Sequence, residues 1–172
     1  PLCPYDSCRL LALNLYSYVD DPFTPKAKFN FDKFSKHVNY AMRIMDDIID
    51  LELEKIDIIY KKIKNDPEDL DIRRVEMSLW EKIKDKAQKG RRTGLGITAE
   101  GDMLAALGLR YGTDEATDFA VKVQKTLAVE AYRASVEMAG ERGAFPMYDP
   151  LKEEENPMIG RIRAADPALY KR

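Results

Sequence analysis

Two cysteines lie close together at the start of the chain, in the segment PLCPYDSC, and no other cysteine occurs among its 172 residues. A pair of thiols can carry redox chemistry, in which one thiolate attacks and the other resolves the resulting bond. A structural zinc site needs about four soft ligands, which Cys3, Cys8 and the distant His37 cannot supply. Free cysteines are also among the most frequently buried residues. Composition alone therefore favours two buried thiols, with a redox pair as the alternative.

An acidic run, MDDIIDLELE, places Asp46, Asp47 and Asp50 in the spacing D-D-x-x-D. This spacing resembles the magnesium-diphosphate motif of isoprenoid synthases, which are all-helical, and Mg²⁺ favours carboxylate oxygens. On a helical wheel, Asp46 lies at the edge of an apolar stripe and Asp47 lies on the polar side. A solvated acidic face explains the run without a metal, and the sequence contains no evident second acidic motif. A magnesium-dependent prenyl-transfer enzyme using these aspartates remains an alternative hypothesis.

The single histidine and a glycine-rich segment are weaker candidates for a site. His37 lies opposite the apolar stripe of its predicted helix, so we predict an exposed side chain without an acid–base partner. The segment GRRTGLGITAEG lacks the spacing G-x-x-x-x-G-K-[ST], and Ala99 interrupts G-x-G-x-x-G after Gly94 and Gly96. We therefore interpret these glycines as positions of tight turning or close backbone packing.

The composition is that of a globular protein: 45% of the residues are hydrophobic, 34% are charged, and the formal net charge is −2. Nucleic-acid-binding domains normally carry a basic excess, so DNA binding is not expected. No apolar run approaches the roughly 20 residues that cross a bilayer, and charged residues interrupt the first segment before a signal-peptide core develops. Two cysteines are also a poor disulfide framework for a secreted protein. These features predict a cytoplasmic protein without a membrane span.

Apolar residues at three- and four-residue steps predict a mainly helical chain with one or two short strands. The predicted helices cover about residues 31–53 with a continuation to 65, then 68–88, 98–107 and 113–143. Segment 9–19 fits a buried strand or a strand leading into a helix equally well, and 93–98 is typical of a short strand or extended turn. The proline-rich tail is predicted to be irregular, with one or two short helical turns.

Several residues are predicted to mark helix ends. Thr98 and Thr113 are suitable N-caps, and the acidic residues that follow Thr113 suit the positive end of a helix dipole. Gly143 is expected to end the last long helix. The helix over 68–88 has a predicted apolar edge made of Ile72, Val75, Leu79 and Ile83.

Five segments together resemble the catalytic subunit of ribonucleotide reductases, most closely the adenosylcobalamin-dependent class II enzymes. They occur in order over essentially the whole chain, and they are PLCPYDSCRLLALNLYSYV, AMRIMDDIIDLELEKI, GRRTGLGITAEGDMLAALGLRYG, KTLAVEAYRASVEMAGERGAFPMYD and NPMIGRI. In such an enzyme the acidic run would belong to a scaffold helix and not to a metal site.

The resemblance implies a mainly α-helical part of a ten-stranded α/β barrel. Residues 1–172 would form a partial catalytic barrel domain, after the loop that carries the thiyl-radical cysteine in an N-x-C-x-E motif and before the loop that binds substrate phosphate. The chain starts on Pro1 without an initiator methionine. We therefore expect an internal segment of a longer polypeptide, or one part of a split reductase, in which no cobalamin-binding residue can be identified.

The resemblance also implies a role for one of the two cysteines. In this family, a cysteine six residues before an Asn-Leu pair is half of the dithiol that delivers two electrons to the ribose. Cys8 stands six residues before Asn14 and Leu15. Cys8 is therefore expected to be redox-active and to pair with a cysteine on an upstream barrel strand, whereas Cys3 has no such counterpart and is expected to be structural.

For the parent protein, the resemblance implies radical chemistry that begins with cleavage of the cobalt–carbon bond of adenosylcobalamin. A cysteine thiyl radical then takes the 3′ hydrogen of a ribonucleoside diphosphate or triphosphate, the 2′ hydroxyl leaves as water, and the dithiol is oxidised to a disulfide. Nucleotide effectors, a thioredoxin-like reductant and a homodimer are implied as well. Because the reacting groups must be held together, this chain alone is expected to be inactive. A non-catalytic helical interaction module is a second alternative.

Overall fold

The fold, described for residues 2–172 by a computed structural model, is built mainly of helices with four short strands. In chain order the elements are β1 (Arg9–Asn14), a 3-10 helix (Leu15–Tyr18), β2 (Val19–Asp20), β3 (Lys28–Phe29), α1 (Phe31–Lys64), α2 (Leu70–Gly90), β4 (Thr93–Thr98), α3 (Glu100–Ala106), α4 (Asp114–Arg142), α5 (Pro150–Glu154), α6 (Pro157–Ala165) and α7 (Pro167–Tyr170). The predicted domain 1–172 includes Pro1, which lies outside the described residues.

The two six-residue strands form a parallel pair. Arg9 lies opposite Thr93, and the register continues to Asn14 opposite Thr98. Parallel strands need a long crossover connection, which here contains α1 and α2. The strands β2 and β3 form a separate two-residue antiparallel pair that the sequence did not predict. Within residues 2–172, β1 and β4 pair only with each other, so these residues do not close a barrel.

The longest helix, α1, is continuous over the predicted helix 31–53 and its predicted continuation. It begins where Asn30 Oδ1 accepts a hydrogen bond from the Lys33 amide at 3.0 Å, which satisfies one of the free N–H groups of the first turn. It ends at Lys64, before Pro67 prevents continuation. Neither α1 nor any other helix within residues 2–172 is long and apolar enough to span a membrane.

The core forms where α1 meets the 3-10 helix, α3 and α4. The stripe predicted for α1 is confirmed, because Phe34, Val38, Met45 and Ile49 are fully buried. The core cluster consists of Leu15, Tyr18, Phe29, Phe34, Val38, Met103, Leu104, Ala116, Val123 and Leu127. Helix α1 therefore contacts both strands of the β1–β4 pair as well as α2 and α4.

Three of the four residues in the apolar edge predicted for α2 do not pack within the described residues, whereas the fourth, Ile83, is half-buried. Ile72, Val75 and Leu79 are all exposed, with Val75 at 71% of its accessible surface. The helix instead buries Ala87 and Gly90 at its C-terminal end. Sequence periodicity identifies an apolar stripe, but it does not indicate whether another element lies opposite that stripe.

Local signals predicted most helix ends correctly. Thr113 Oγ1 accepts a hydrogen bond from the Ala116 amide at 3.3 Å, and Gly143 ends α4 with φ of 85°. The cap predicted at Thr98 is wrong, because Ala99 precedes α3 in a left-handed conformation and no side chain caps that helix. The tail forms three short helices, each begun by a proline after a capping residue; the caps are Asp149, Asn156 and Asp166.

Candidate functional site

Cys8 lies directly before β1, where its side chain is half-buried and its thiol is free. Gly94 of β4 lies close to it across the strand pair. An ideal Cβ built on Gly94 would lie 3.1 Å from Cys8 Sγ and 2.7 Å from Leu10 Cδ2. A side chain at position 94 would therefore occupy the space that the thiol uses, which confirms close backbone packing as the role of this glycine.

The strand pair has one covered face and one open face. Arg9, Leu11 and Leu13 alternate with exposed residues along β1, as expected for side chains of period two. The open face carries Leu10, which is 81% exposed, and the exposed Ala12 and Asn14. Cys8 approaches Gly94 from the same side as Leu10, so its thiol lies on the open face.

An ion pair with α1 holds the start of β1. The Arg9 side chain is buried at 7% exposure. Its Nε donates to Glu52 Oε2 at 2.6 Å, and its Nη1 donates to the Ser7 carbonyl at 3.1 Å. Removing Glu52 would leave the buried Arg9 guanidinium without its carboxylate partner, which is destabilising because a buried charge needs a partner. The residue after Cys8 is therefore anchored firmly to the longest helix.

Cys3 is exposed, so the prediction that it packs as a structural residue is wrong. Its Sγ lies 3.9 Å from Arg92 Nη2, a contact too long for strong bonding. The expectation of two buried thiols is also wrong, because Cys8 is only half-buried. The two cysteines thus differ in environment, and only Cys8 lies against the open face of the strand pair.

The three aspartates of the acidic run come together, with one oxygen from each lying within 4.8 Å of the others. Asp46 is half-buried at the edge of the core, as predicted, and Asp47 and Asp50 are exposed. Arg91 Nε donates to Asp46 at 2.7 Å, and its Nη1 donates to Asp50 at 2.8 Å. Arg142 Nη1 donates to Asp46 at 2.5 Å and to Asp47 at 3.0 Å. Two arginines therefore already bind all three carboxylates.

The electrostatics of this cluster suit a structural role. Burial alone would raise the pKa of Asp46, but the hydrogen bonds and charges of Arg91 and Arg142 lower it below its ordinary value. A cation would have to displace both guanidinium groups to reach these oxygens. The cluster instead joins α1 to the end of α2 and to α4. Sequence reasoning missed the arginines because no local spacing links them to the aspartates.

His37 also differs from its prediction. It is half-buried, and its Nδ1 lies 3.3 Å from the Tyr18 hydroxyl, a hydrogen-bond distance. Burial raises the pKa of Tyr18. The two rings also meet edge to face, with centroids 5.6 Å apart. His37 therefore has a packing partner that helical spacing could not identify.

Comparison with known proteins identifies the family. The sequence model described as "Ribonucleotide reductase, barrel domain" matches residues 2–160 of the chain. The chain belongs to the ribonucleotide reductase barrel-domain family. The predicted resemblance to ribonucleotide reductase is thereby confirmed, and β1 and β4 are a parallel pair of that barrel domain.

Individual relatives carry names of the same class. The vitamin B12-dependent ribonucleoside-diphosphate reductase of Thermoplasma acidophilum is 32% identical over 148 residues, which cover 86% of this chain and 16% of that protein. The protein of the same name from Mycobacterium tuberculosis is 28% identical over 148 residues, 86% of this chain and 17% of that protein. The ribonucleoside-diphosphate reductase subunit alpha of Chlamydia pneumoniae is 26% identical over 145 residues, 84% of this chain and 11% of that protein. The chain therefore spans less than a fifth of the length of these reductases.

Proposed function

We propose that this chain supplies one of the two reducing thiols of a ribonucleotide reductase, and that Cys8 carries it. The observation that supports this role is the position of the Cys8 thiol, half-buried on the open face of a strand pair in a reductase barrel domain. A reducing thiol must be shielded from bulk solvent and yet accessible to a second sulfur. The other thiol of the chain, Cys3, is exposed to solvent and does not meet the first condition.

The unpaired edge of β1 leaves room for the second thiol. Within residues 2–172, β1 pairs on one edge only. A further strand on its other edge would lie about 4.8 Å away. That spacing falls within the range of about 4.4–6.8 Å between the Cα atoms of disulfide-bonded cysteines. We propose that a cysteine on such a neighbouring strand of the parent protein is the partner of Cys8.

The proposed reaction is balanced by the two thiols. When they form a disulfide they lose two electrons and two protons. The ribonucleotide takes up these two electrons and two protons as its 2′ hydroxyl leaves as water. The overall reaction converts a ribonucleotide and a dithiol into a 2′-deoxyribonucleotide, a disulfide and water. A thioredoxin-like dithiol then reduces the disulfide by thiol–disulfide exchange. The names of the relatives favour a ribonucleoside diphosphate as the substrate.

The names of the relatives also favour adenosylcobalamin as the radical source of the parent enzyme. When bound, this cofactor would supply the radical that activates the substrate. Residues 2–172 do not themselves fit it. Two open surface grooves of about 340 Å³ each are lined by residues of the α1–α2 hairpin, and Cys8 lines neither. Both volumes are at the low end of the range of about 300–1,000 Å³ for drug-sized ligands, and cobalamin is larger still. The proposal therefore assigns no residue of this chain to the cofactor.

The test uses the full-length parent protein with its reductant. We expect Cys8→Ser to abolish repeated reduction of ribonucleoside diphosphates, since a serine cannot form the disulfide. The matched control is Cys3→Ser, which removes the other, exposed thiol and should leave turnover unchanged. Sustained turnover by the Cys8→Ser protein would overturn the proposal and would favour a non-catalytic role for this segment. The prenyl-transfer alternative is not proposed, because arginines engage all three of its aspartates.

A further inference from the structure

The Arg92 side chain lies over the segment that leads into Cys8. Its Nε donates to Asp6 Oδ2 at 2.5 Å, and the Asp6 side chain is completely buried. The other carboxylate oxygen, Asp6 Oδ1, accepts a hydrogen bond from the Ser7 amide at 2.9 Å. A fully buried carboxylate is stable only when it is paired and hydrogen-bonded, so Arg92 and Asp6 hold each other in place.

The backbone of Arg92 holds the other side of Cys8. The Arg9 amide donates to the Arg92 carbonyl at 3.2 Å. Arg92 thus contacts the residue two positions before Cys8 through its side chain and the residue just after Cys8 through its main chain. Between these two contacts, Cys8 Sγ faces Gly94, which is two residues after Arg92. Residues 92–94, which lead into and begin β4, therefore contact the chain on both sides of the Cys8 thiol.

We propose that Arg92 is a positioning residue for Cys8, acting through its ion pair with Asp6. The relevance of this role to catalysis rests on the proposed function, in which Cys8 is a reducing thiol. Exchange between sulfurs requires a specific approach of one sulfur to another, and small displacements of reacting groups are costly. An anchor on each side of the thiol limits such displacement.

The charge of Arg92 is well suited to this task. The hydrogen bond from Arg92 to Asp6 raises the pKa of the guanidinium group, so Arg92 stays positively charged. Arginine also presents several donors in a rigid plane, unlike lysine.

The test measures how fast Cys8 reacts with iodoacetamide as a function of pH, in a Cys3→Ser background so that one thiol is observed. Loss of one charge-assisted hydrogen bond corresponds to roughly a tenfold change in local opening. We therefore expect Arg92→Gln to raise the alkylation rate by about that factor. Asp6→Asn should have a similar effect. Circular dichroism establishes that each variant remains folded.

Two further variants separate positioning from general stability. Arg91→Gln removes the adjacent arginine, which binds Asp46 and Asp50 and does not contact the Cys8 segment. We expect it to lower stability without changing the Cys8 rate. The double variant Asp6→Asn/Arg92→Gln leaves no unpaired buried charge. Its Cys8 should be alkylated no faster than in the more reactive of the two single variants, because the two residues share one interaction.

Three outcomes would overturn the inference: a wild-type alkylation rate in Arg92→Gln, an equal increase in Arg91→Gln, or additive effects in the double variant. Arg92→Lys retains the charge and should restore part of the wild-type rate and its pH profile. If Arg92→Gln does not fold, the double variant and Asp6→Asn still decide the question. These measurements do not depend on turnover, so the positioning role can fail while Cys8 remains a reducing thiol, and the reverse.

Discussion

Replacing Gly94 by alanine would place a methyl group between β4 and the Cys8 thiol. The ideal Cβ lies 2.7 Å from Leu10 Cδ2 and 3.1 Å from Cys8 Sγ. The Leu10 side chain is flexible and largely exposed, so it can rotate away at little cost. The sulfur must move by a few tenths of an ångström, and anchored residues on either side resist that movement. Overpacking of about 1.5 kcal/mol, offset by roughly 0.5 kcal/mol from the loss of glycine flexibility, gives an expected net destabilisation of about 1 kcal/mol.

Gly96 provides the matched control, because it lies on the same strand and the same face. A Cβ at Gly96 would approach only the Leu11 carbonyl oxygen, at 4.0 Å, which is ordinary contact. Glycine in a strand interior loses more conformational freedom on folding than alanine does. We therefore expect Gly96→Ala to be neutral or to stabilise the protein by roughly 0.5 kcal/mol.

Urea unfolding and alkylation of Cys8 measure the two effects separately. A loss of about 1 kcal/mol lowers the unfolding midpoint by roughly 0.5 M urea for a slope of about 2 kcal/mol per molar. An alkylated sulfur is larger than a thiol, so the contact with the new methyl group worsens during the reaction. If the larger group adds a further strain of about 1 kcal/mol in the transition state, alkylation of the Gly94→Ala protein slows roughly fivefold. Equal rates in the two alanine variants would refute the assigned position of the thiol.

Two further predictions concern the charge cluster and the exposed stripe. Arg142→Gln should lower stability at neutral pH by about 1 kcal/mol or less, because the pair is partly exposed. The pKa of Asp46 is lowered in the folded protein. The stabilisation by the Arg142–Asp46 pair is therefore fully present above the ordinary aspartate pKa of about 4 and is lost as the pH falls through the pKa of folded Asp46. A difference in stability between Arg142→Gln and wild type that persists in acid would contradict this prediction. Val75→Ala on α2 should change the stability of this chain by no more than about 0.5 kcal/mol, whereas Val123→Ala in the core should cost about 2 kcal/mol or more. Comparable losses for the two valines in thermal unfolding would show that Val75 is covered.

The helices were the part of the fold that the sequence predicted best. The apolar stripe of α1, the cap at Thr113 and the stop at Gly143 all follow from residues a few positions apart. Such signals act within one or two turns, so they are legible in a single stretch of sequence. The cap at Thr98 failed because the backbone of Ala99 adopts a left-handed conformation, which no side-chain preference at Thr98 indicates.

Of the candidate site, the sequence predicted only the cysteine at position 8. Cys8 was identified by resemblance to a family, and its role as a reducing thiol remains a prediction. The exposure of Cys3 and the contact of His37 with Tyr18 were both missed. Each depends on which surface a distant segment covers, and the order of residues around Cys3 or His37 contains no information about that.

By itself, the sequence determined which segments become helices, where most of them end, and which side chains are available for chemistry. The tertiary structure alone decided that β1 pairs in parallel with β4, although α1 and α2 lie between the two strands in the sequence. That pairing brings Arg92 and Gly94 to Cys8, and the packing of α1 against α4 brings Arg142 to the aspartates. The physical reason is that local spacing encodes helical periodicity and capping, whereas contacts between distant segments depend on the register and packing of the whole fold.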